Sequence, residues 1–262
     1  EDPSTRIICM YIEGARDGRR LLELVRRINP KKPVIIWKGG LSDSGARAAA
    51  SHTGSLAGER RVWEAFFKQT GAIPVGSIEE MAETAMTLLW LPRLGGKRVA
   101  AFGAGGGTCV ATGDILSQEG LDLPPLSPET RQGLLEFIVL VNQGIQNPLD
   151  IPIVFRDPDT LRRTFTVLSS DPGIDLIFVH LEAEFFLVRE SFPGMARFEE
   201  CVREALSRPG AKPIVVGVSE ESRVEPAERH ARELREAGIL AYGSPRRAAR
   251  TTPRREPATP AP

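Results

Sequence analysis

Unbroken apolar runs alternate along this chain with segments whose apolar residues recur at helical spacing. Residues 7–12 (Ile-Ile-Cys-Met-Tyr-Ile) are apolar throughout, and Glu13-Gly14 closes the run. A run apolar on both sides of the pleat reads as a strand buried on both faces, which is the mark of a parallel sheet. Similar runs fall at 33–37, 72–75, 99–102, 176–181 and 213–218, with a short one at 240–242. Between them, Leu21, Leu24, Val25 and Ile28 sit at helical spacing within 16–28. Helices are also expected from Gly54 through Trp63, Phe66 and Phe67 to Gly71, from Ser77, over 109–119, from about Ser127, and over 158–169, 195–207 and 225–237. Ser77 followed by Glu80 has the form of a capping box. The small, polar stretch 41–51 reads as a long loop. Strand and helix in alternation predict an α/β fold with mainly parallel sheets and helices on both faces.

The 262 residues suit two such domains. Leu91-Pro92-Arg93-Leu94-Gly95-Gly96 reads as the boundary, giving domains at 1–95 and 96–250. Both end alike, with a helix, a glycine and a short strand, in "KQTGAIPVGSIEE" and "REAGILAYGSPRR". Only three strands precede the boundary, fewer than an open doubly wound sheet usually holds. The first domain is therefore expected to be truncated, which fits a chain starting at Glu1 close to a strand. Residues 251–262 are rich in Pro, Arg and Thr without apolar periodicity, so a disordered tail is expected.

Charge narrows the partners. Lys plus Arg and Asp plus Glu both number 34, so no net charge favours nucleic acid or an anionic membrane. No apolar run approaches a membrane span and no signal peptide is visible. The three cysteines, Cys9, Cys109 and Cys201, are far apart and lack zinc spacing. They fit a reducing, cytoplasmic setting.

Candidate chemistry begins with "ASHTGSLAG" (50–58). His52 stands just ahead of Gly54, where the expected helix start offers unpaired N–H groups to an anion. A neutral imidazole there could carry a phosphoryl group, although a lone histidine near a helix start is more often a plain polar loop residue. The turn Gly103-Ala104-Gly105-Gly106-Gly107-Thr108 offers donors at a second helix start. As a dinucleotide fingerprint it is weak, because Thr108 replaces the third glycine. Taken alone it is as well explained by a tight strand-to-helix turn. Glu13 ends a strand, where open α/β sheets bind ligands, and could orient an imidazole; on its own it reads as a solvated strand end. His180 lies in an apolar strand and is expected to be a core or strand-end residue. His230 lies among Glu228, Arg229, Arg232 and Glu233 and is expected on a solvated helix face.

Four stretches together resemble one family. "YIEG" (11–14), "KPVIIWKGG" (32–40), "GARAAASHTGSLAG" (45–58) and "GAGGGTCVATGDIL" (103–116) look like the nucleoside-diphosphate-forming acyl-CoA synthetases, which include ADP-forming acetate–CoA ligase and succinyl-CoA synthetase. "NPLDI" (147–151) matches a further segment. The resemblance spans about 1–250 and implies two flavodoxin-like, succinyl-CoA synthetase-like domains with the phosphoryl site at their junction. It implies a reversible reaction in which acyl-CoA and phosphate give acyl phosphate and CoA, and a histidine passes the phosphoryl group to ADP. The matching histidine is His52, and the carboxylate that orients it is Glu13. The phosphate would be held by Thr53, Gly54 and Ser55 and by Gly105, Gly106, Gly107 and Thr108. Gly103 stands where the family often has Asn.

The resemblance further implies CoA, ATP or ADP, and phosphate as substrates, with Mg²⁺ in a nucleotide domain, and neither a tightly bound cofactor nor a protein-held metal. The expected partners are CoA-binding and ATP-grasp domains, a small acyl substrate and further copies in an oligomer. Such a core alone should not run the full reaction. The competing readings are a non-catalytic, ligase-like module binding acyl-CoA or nucleotide, as in protein acetyltransferase fusions, and, more weakly, a dinucleotide-dependent oxidoreductase.

Overall fold

The computed structural model describes residues 2–42, 44, 45, 47, 59–91, 96–139, 144–182, 194–219 and 226–252. The chain divides into two units, Glu1–Pro92 and Arg93–Pro262.

The first unit carries a parallel sheet of β1 (Ile8–Ile12), β2 (Val34–Lys38) and β3 (Ile73–Val75), in that order. Its helices are α1 (Gly18–Ile28), α2 (Arg60–Thr70) and α3 (Ile78–Trp90). The pleat of β2 divides the core. Val34 and Ile36 pack with Val25 of α1 and with Trp63 and Phe66 of α2. Ile35, with Trp37 against it, packs with Val75 and with Met81 and Leu88 of α3. Helices thus cover both faces, as the alternation predicts.

Local chemistry sets the helix ends. Asp17 caps α1 through the Arg20 N–H. Gly71, at φ 66°, ends α2 in the left-handed region that glycine enters without cost. Ser77 caps α3 by accepting from the Glu80 N–H, and the Glu80 carboxylate reaches back to the Gly76 N–H.

Three expectations change in this unit. Strand β1 is not buried on both faces: it is the sheet edge among the described residues, and Cys9 and Tyr11 are exposed. An all-apolar run reports only that the strand could be covered, not that it is. Ser44, Gly45 and Arg47 are helical, within a stretch read as loop. Helix α2 begins at Arg60 after an extended Glu59, not at Gly54. Gly54 itself lies outside the described residues.

The second unit holds β4 (Val99–Gly103), β5 (Leu149–Asp150), β6 (Leu176–Leu181), β7 (Ile214–Val218) and β8 (Leu240–Tyr242), all parallel, in the order β5-β4-β6-β7-β8. Its helices are α4 (Gly106–Gln118), α5 (Pro128–Leu135), α6 (Pro158–Ser170), α7 (Gly194–Ser207), α8 (Ala227–Glu236) and α9 (Pro245–Thr251), with a 3₁₀ turn at Pro152–Phe155. One sheet face, through Ala100, Phe102, Ile177, Val179 and Val216, packs on Phe165, Phe198, Cys201, Ala231 and Leu234 of α6, α7 and α8. On the other face, His180 meets Thr112 of α4, and Arg246 of α9 meets Gln118 and Glu119 at the end of α4.

The repeated ending is visible in both units. Gly238 (φ 85°) precedes β8, and Ser244 then caps α9, as Gly71 precedes β3 and Ser77 caps α3. Three readings change here too. The two-residue β5 was not anticipated, since its pairing with β4 is long-range. Thr251 ends a helix, and with Thr252 it is buried rather than part of a loose tail. His230 is buried at 4% exposure, its Nδ1 3.6 Å from the Glu233 carboxylate. Ala227, Ala231 and Leu234 share its face at i, i+3, i+4, i+7 spacing, a signal that the charged neighbours obscured. Among the described residues, no helix is long and apolar enough to cross a membrane, and no cluster of three or more His, Cys, Asp or Glu could hold a metal.

Candidate phosphoryl-transfer site

Glu13 follows directly on β1, and Gly39 directly on β2. The register that pairs Ile12 with Lys38 brings these strand ends side by side. The Gly39 N–H donates to the Ile12 carbonyl at 3.0 Å. Strand carboxyl ends are where open parallel sheets present ligand-binding groups. Glu13 is half-buried there rather than fully solvated.

Its two carboxylate oxygens differ. Oε1 accepts from the Tyr11 hydroxyl at 3.0 Å. Oε2 is buried and has no hydrogen-bond partner among the described residues. A buried, unmatched carboxylate oxygen is costly unless a donor reaches it. The hydrogen bond and charge of Glu13, with some burial, raise the Tyr11 phenol above its ordinary pKa.

Lys38 is the residue at this end that sequence reasoning passed over. It is only 5% exposed. Its Nζ donates to the Glu13 carbonyl at 2.8 Å and to the Gly39 carbonyl. The ammonium also lies 5.2 Å from the Trp63 ring centre. Burial lowers its pKa, and the charge of Glu13 opposes that shift. The signal was present as a lysine ending an otherwise apolar strand, but a strand-end lysine is ordinarily solvated. His52, Thr53, Gly54 and Ser55, singled out from the sequence, lie outside the described residues.

In the second unit, the glycine-rich turn connects β4 to α4. Gly105 adopts φ 104°, a conformation closed to most side chains, and its N–H donates to Asp150 Oδ1 at 2.7 Å. Gly106, Gly107 and Thr108 form the first turn of α4, where N–H groups have no intrahelical acceptor. The Thr108 hydroxyl donates to Glu182. The turn therefore retains N–H donors suited to an anion, but Asp150 already takes the one on Gly105. Asp150 and Glu182 were not singled out as site residues; Asp150 appeared only inside "NPLDI". Burial, with the Asp150 charge adding to it, pushes the Cys109 thiol up to about 12, so this cysteine is inert packing.

His180, below the same turn, is 6% exposed. Its Nδ1 lies 2.6 Å from the Thr112 hydroxyl, and that hydroxyl donates to the Thr108 carbonyl at 2.7 Å. The imidazole must therefore donate from Nδ1. Burial lowers its pKa to about 4, so it is the neutral core histidine the sequence predicts.

Residues 1–88 match the family described as the succinyl-CoA ligase like flavodoxin domain. Over 214 residues the chain is 37% identical to the alpha subunit of acetate–CoA ligase [ADP-forming] II from Pyrococcus furiosus, covering 80% of this chain and 45% of that one. The chain is thus similar to the nucleoside-diphosphate-forming acyl-CoA synthetases, over its first 88 residues by the domain match and over most of its length by this relative. Its fold agrees with that of a solved acyl-CoA synthetase. The apo form of acetyl-coenzyme A synthetase 1 from Ca. Korarchaeum cryptofilum superposes with a TM-score of 0.81 at 26% identity, over 96% of this chain and 53% of that one. The same enzyme in complex with phosphate and ADP gives 0.78 at 28% identity. The chain thus spans about half the length of these two relatives. They are named as ligases and synthetases, which does not favour the non-catalytic module or the oxidoreductase.

Proposed function

We propose that this chain is the ligase core of an ADP-forming acyl-CoA synthetase, in which His52 carries the phosphoryl group and Glu13 orients it. The carrying observation is the Glu13 carboxylate, with Oε1 held by Tyr11 and Oε2 buried without a partner among the described residues. An imidazole N–H is the donor such an oxygen suits. That bond would fix the tautomer, leave the other ring nitrogen as the nucleophile, and stabilise the cationic ring formed on attack.

In this reading a phosphate oxygen attacks the thioester carbonyl, the C–S bond breaks and CoA leaves as the thiol. The imidazole then attacks phosphorus of the acyl phosphate and releases the carboxylate. A terminal oxygen of ADP takes the phosphoryl group and frees the imidazole. Each step is reversible. Thr53, Gly54 and Ser55, and the first-turn N–H groups of Gly106, Gly107 and Thr108, would hold phosphate oxygens; Gly105 offers approach room rather than a donor, since Asp150 holds its N–H. The flavodoxin-like domains are assigned to 1–95 and 96–250. CoA-binding and ATP-grasp partners would supply the thioester and the Mg²⁺–nucleotide, in a cytoplasmic oligomer.

The test is labelling. The complete enzyme, with its CoA- and nucleotide-binding partners, is incubated with γ-labelled ATP and Mg²⁺. Acid-labile, alkali-stable phosphoprotein is expected, with none in His52→Ala. Label that persists in that variant would remove His52 from the mechanism.

A further inference from the structure

A buried lysine needs a reason. Lys38 closes an apolar strand at 5% exposure, where Met or Leu would fill a similar volume without the cost of desolvating an ammonium. It forms no salt bridge among the described residues; instead its Nζ donates to two main-chain carbonyls, those of Glu13 and Gly39. The Trp63 ring 5.2 Å away completes its surroundings. The ammonium therefore fastens the residue after β1 to the residue after β2, and the residue after β1 is Glu13.

Two neighbours act on the same carboxylate. Tyr11 is 55% exposed; its ring meets Trp37 edge-on at 4.9 Å between centres, and its hydroxyl donates to Glu13 Oε1. Gly39 is the close approach that permits this: a Cβ there would stand 2.6 Å from the Tyr11 hydroxyl oxygen. Its lack of a side chain leaves the hydroxyl where Glu13 needs it.

We propose that Lys38 and Tyr11 are positioning residues for Glu13: Lys38 anchors its main chain, and Tyr11 holds Oε1 so that Oε2 faces the phosphoryl-accepting imidazole. This rests on the reading of His52 as that acceptor. Glu13 then has one rotamer before the imidazole engages, and less freedom is lost in reaching the reactive arrangement. In this role neither residue need touch the reacting atoms. Their effect passes through Glu13, so it should vanish when the Glu13 carboxylate is gone.

The experiment is a pair of double-mutant cycles in the complete enzyme, reading the single-turnover rate of phosphohistidine formation from γ-labelled ATP and Mg²⁺. Lys38→Met and Tyr11→Phe should each slow labelling by about ten- to a hundredfold, the scale for misplacing a reacting group. The KM for ATP should stay within about twofold of wild type. Lys38→Arg, which keeps the charge and N–H donors, should recover part of the rate. Combined with Glu13→Gln, neither substitution should slow the enzyme further. Tyr11→Phe removes one exposed oxygen, so its cycle remains readable if Lys38→Met fails to fold. Additive losses, or unchanged rates in the single variants while His52→Ala stays unlabelled, would overturn the positioning role and leave the acceptor intact. Label surviving in His52→Ala would overturn the acceptor and, with it, this role.

Discussion

Asn147 and Ala101 are joined as two strand residues would be, although Asn147 uses its side chain. Its Oδ1 accepts the Ala101 N–H at 2.9 Å, while its Nδ2 donates to the Val99 carbonyl at 2.7 Å and the Pro124 carbonyl at 2.9 Å. The amide thus pairs with β4 just before β5 takes over that edge, and three residues later Asp150 meets the glycine-rich turn.

Removing that amide should be costly. Ala101 and Val99 are fully buried, so Asn147→Ala strands a donor and an acceptor away from water. A loss of about 2–4 kcal/mol is expected in urea unfolding, from roughly 1–3 kcal/mol per stranded group. Asn147→Asp keeps the acceptor but loses both donated bonds, and it should be destabilised as well. A change below about 0.5 kcal/mol in either variant would mean that water or a rearranged loop serves β4 equally well.

Gly107 separates folding from phosphate binding. A Cβ at this position meets nothing within 4 Å, and it lies in the first turn of α4. Gly107→Ala should leave thermal stability unchanged or raise it by up to about 1 kcal/mol, because alanine is the better helix former. The added methyl would nevertheless crowd an anion approaching the N–H groups of that turn. Phosphohistidine formation should fall while the fold holds. Full activity in this variant would exclude the turn as a phosphate seat.

His180 gives stability a pH dependence of known sign. Burial holds its folded pKa at about 4, below the ordinary value of 6.5. Below pH 6.5 the unfolded chain takes up the proton first, so stability is fully present above that pH and falls as pH drops towards 4. The loss across this window is on the order of 3 kcal/mol. Urea unfolding at pH 7.5 and 4.5 should show it, and His180→Gln should show a correspondingly shallower slope. An imidazole signal for His180 titrating near 6.5 would contradict the buried, neutral ring.

The order of elements was legible because its causes are local. Apolar runs marked β2, β4, β6 and β7 to within a residue or two, since a strand covered on both faces leaves no polar position. Ser77 announced its helix because a cap is satisfied by N–H groups only a few residues away. The family resemblance of "YIEG" and "GAGGGTCVATGDIL" is what brought Glu13 and the glycine-rich turn forward together. Tertiary structure decided what depends on distant partners. The two residues of β5 are a strand only because β4 lies beside them. Lys38 is buried only because Trp63 and the carbonyls after β1 and β2 converge on it, and sequence distance hides that convergence. Asp150 reaches Gly105 across 45 residues of chain. The sequence determined most of the elements and the order in which they follow one another. Only packing decided which charges those ends bury and which groups hold them, because desolvation and hydrogen-bond partners are properties of neighbours in space.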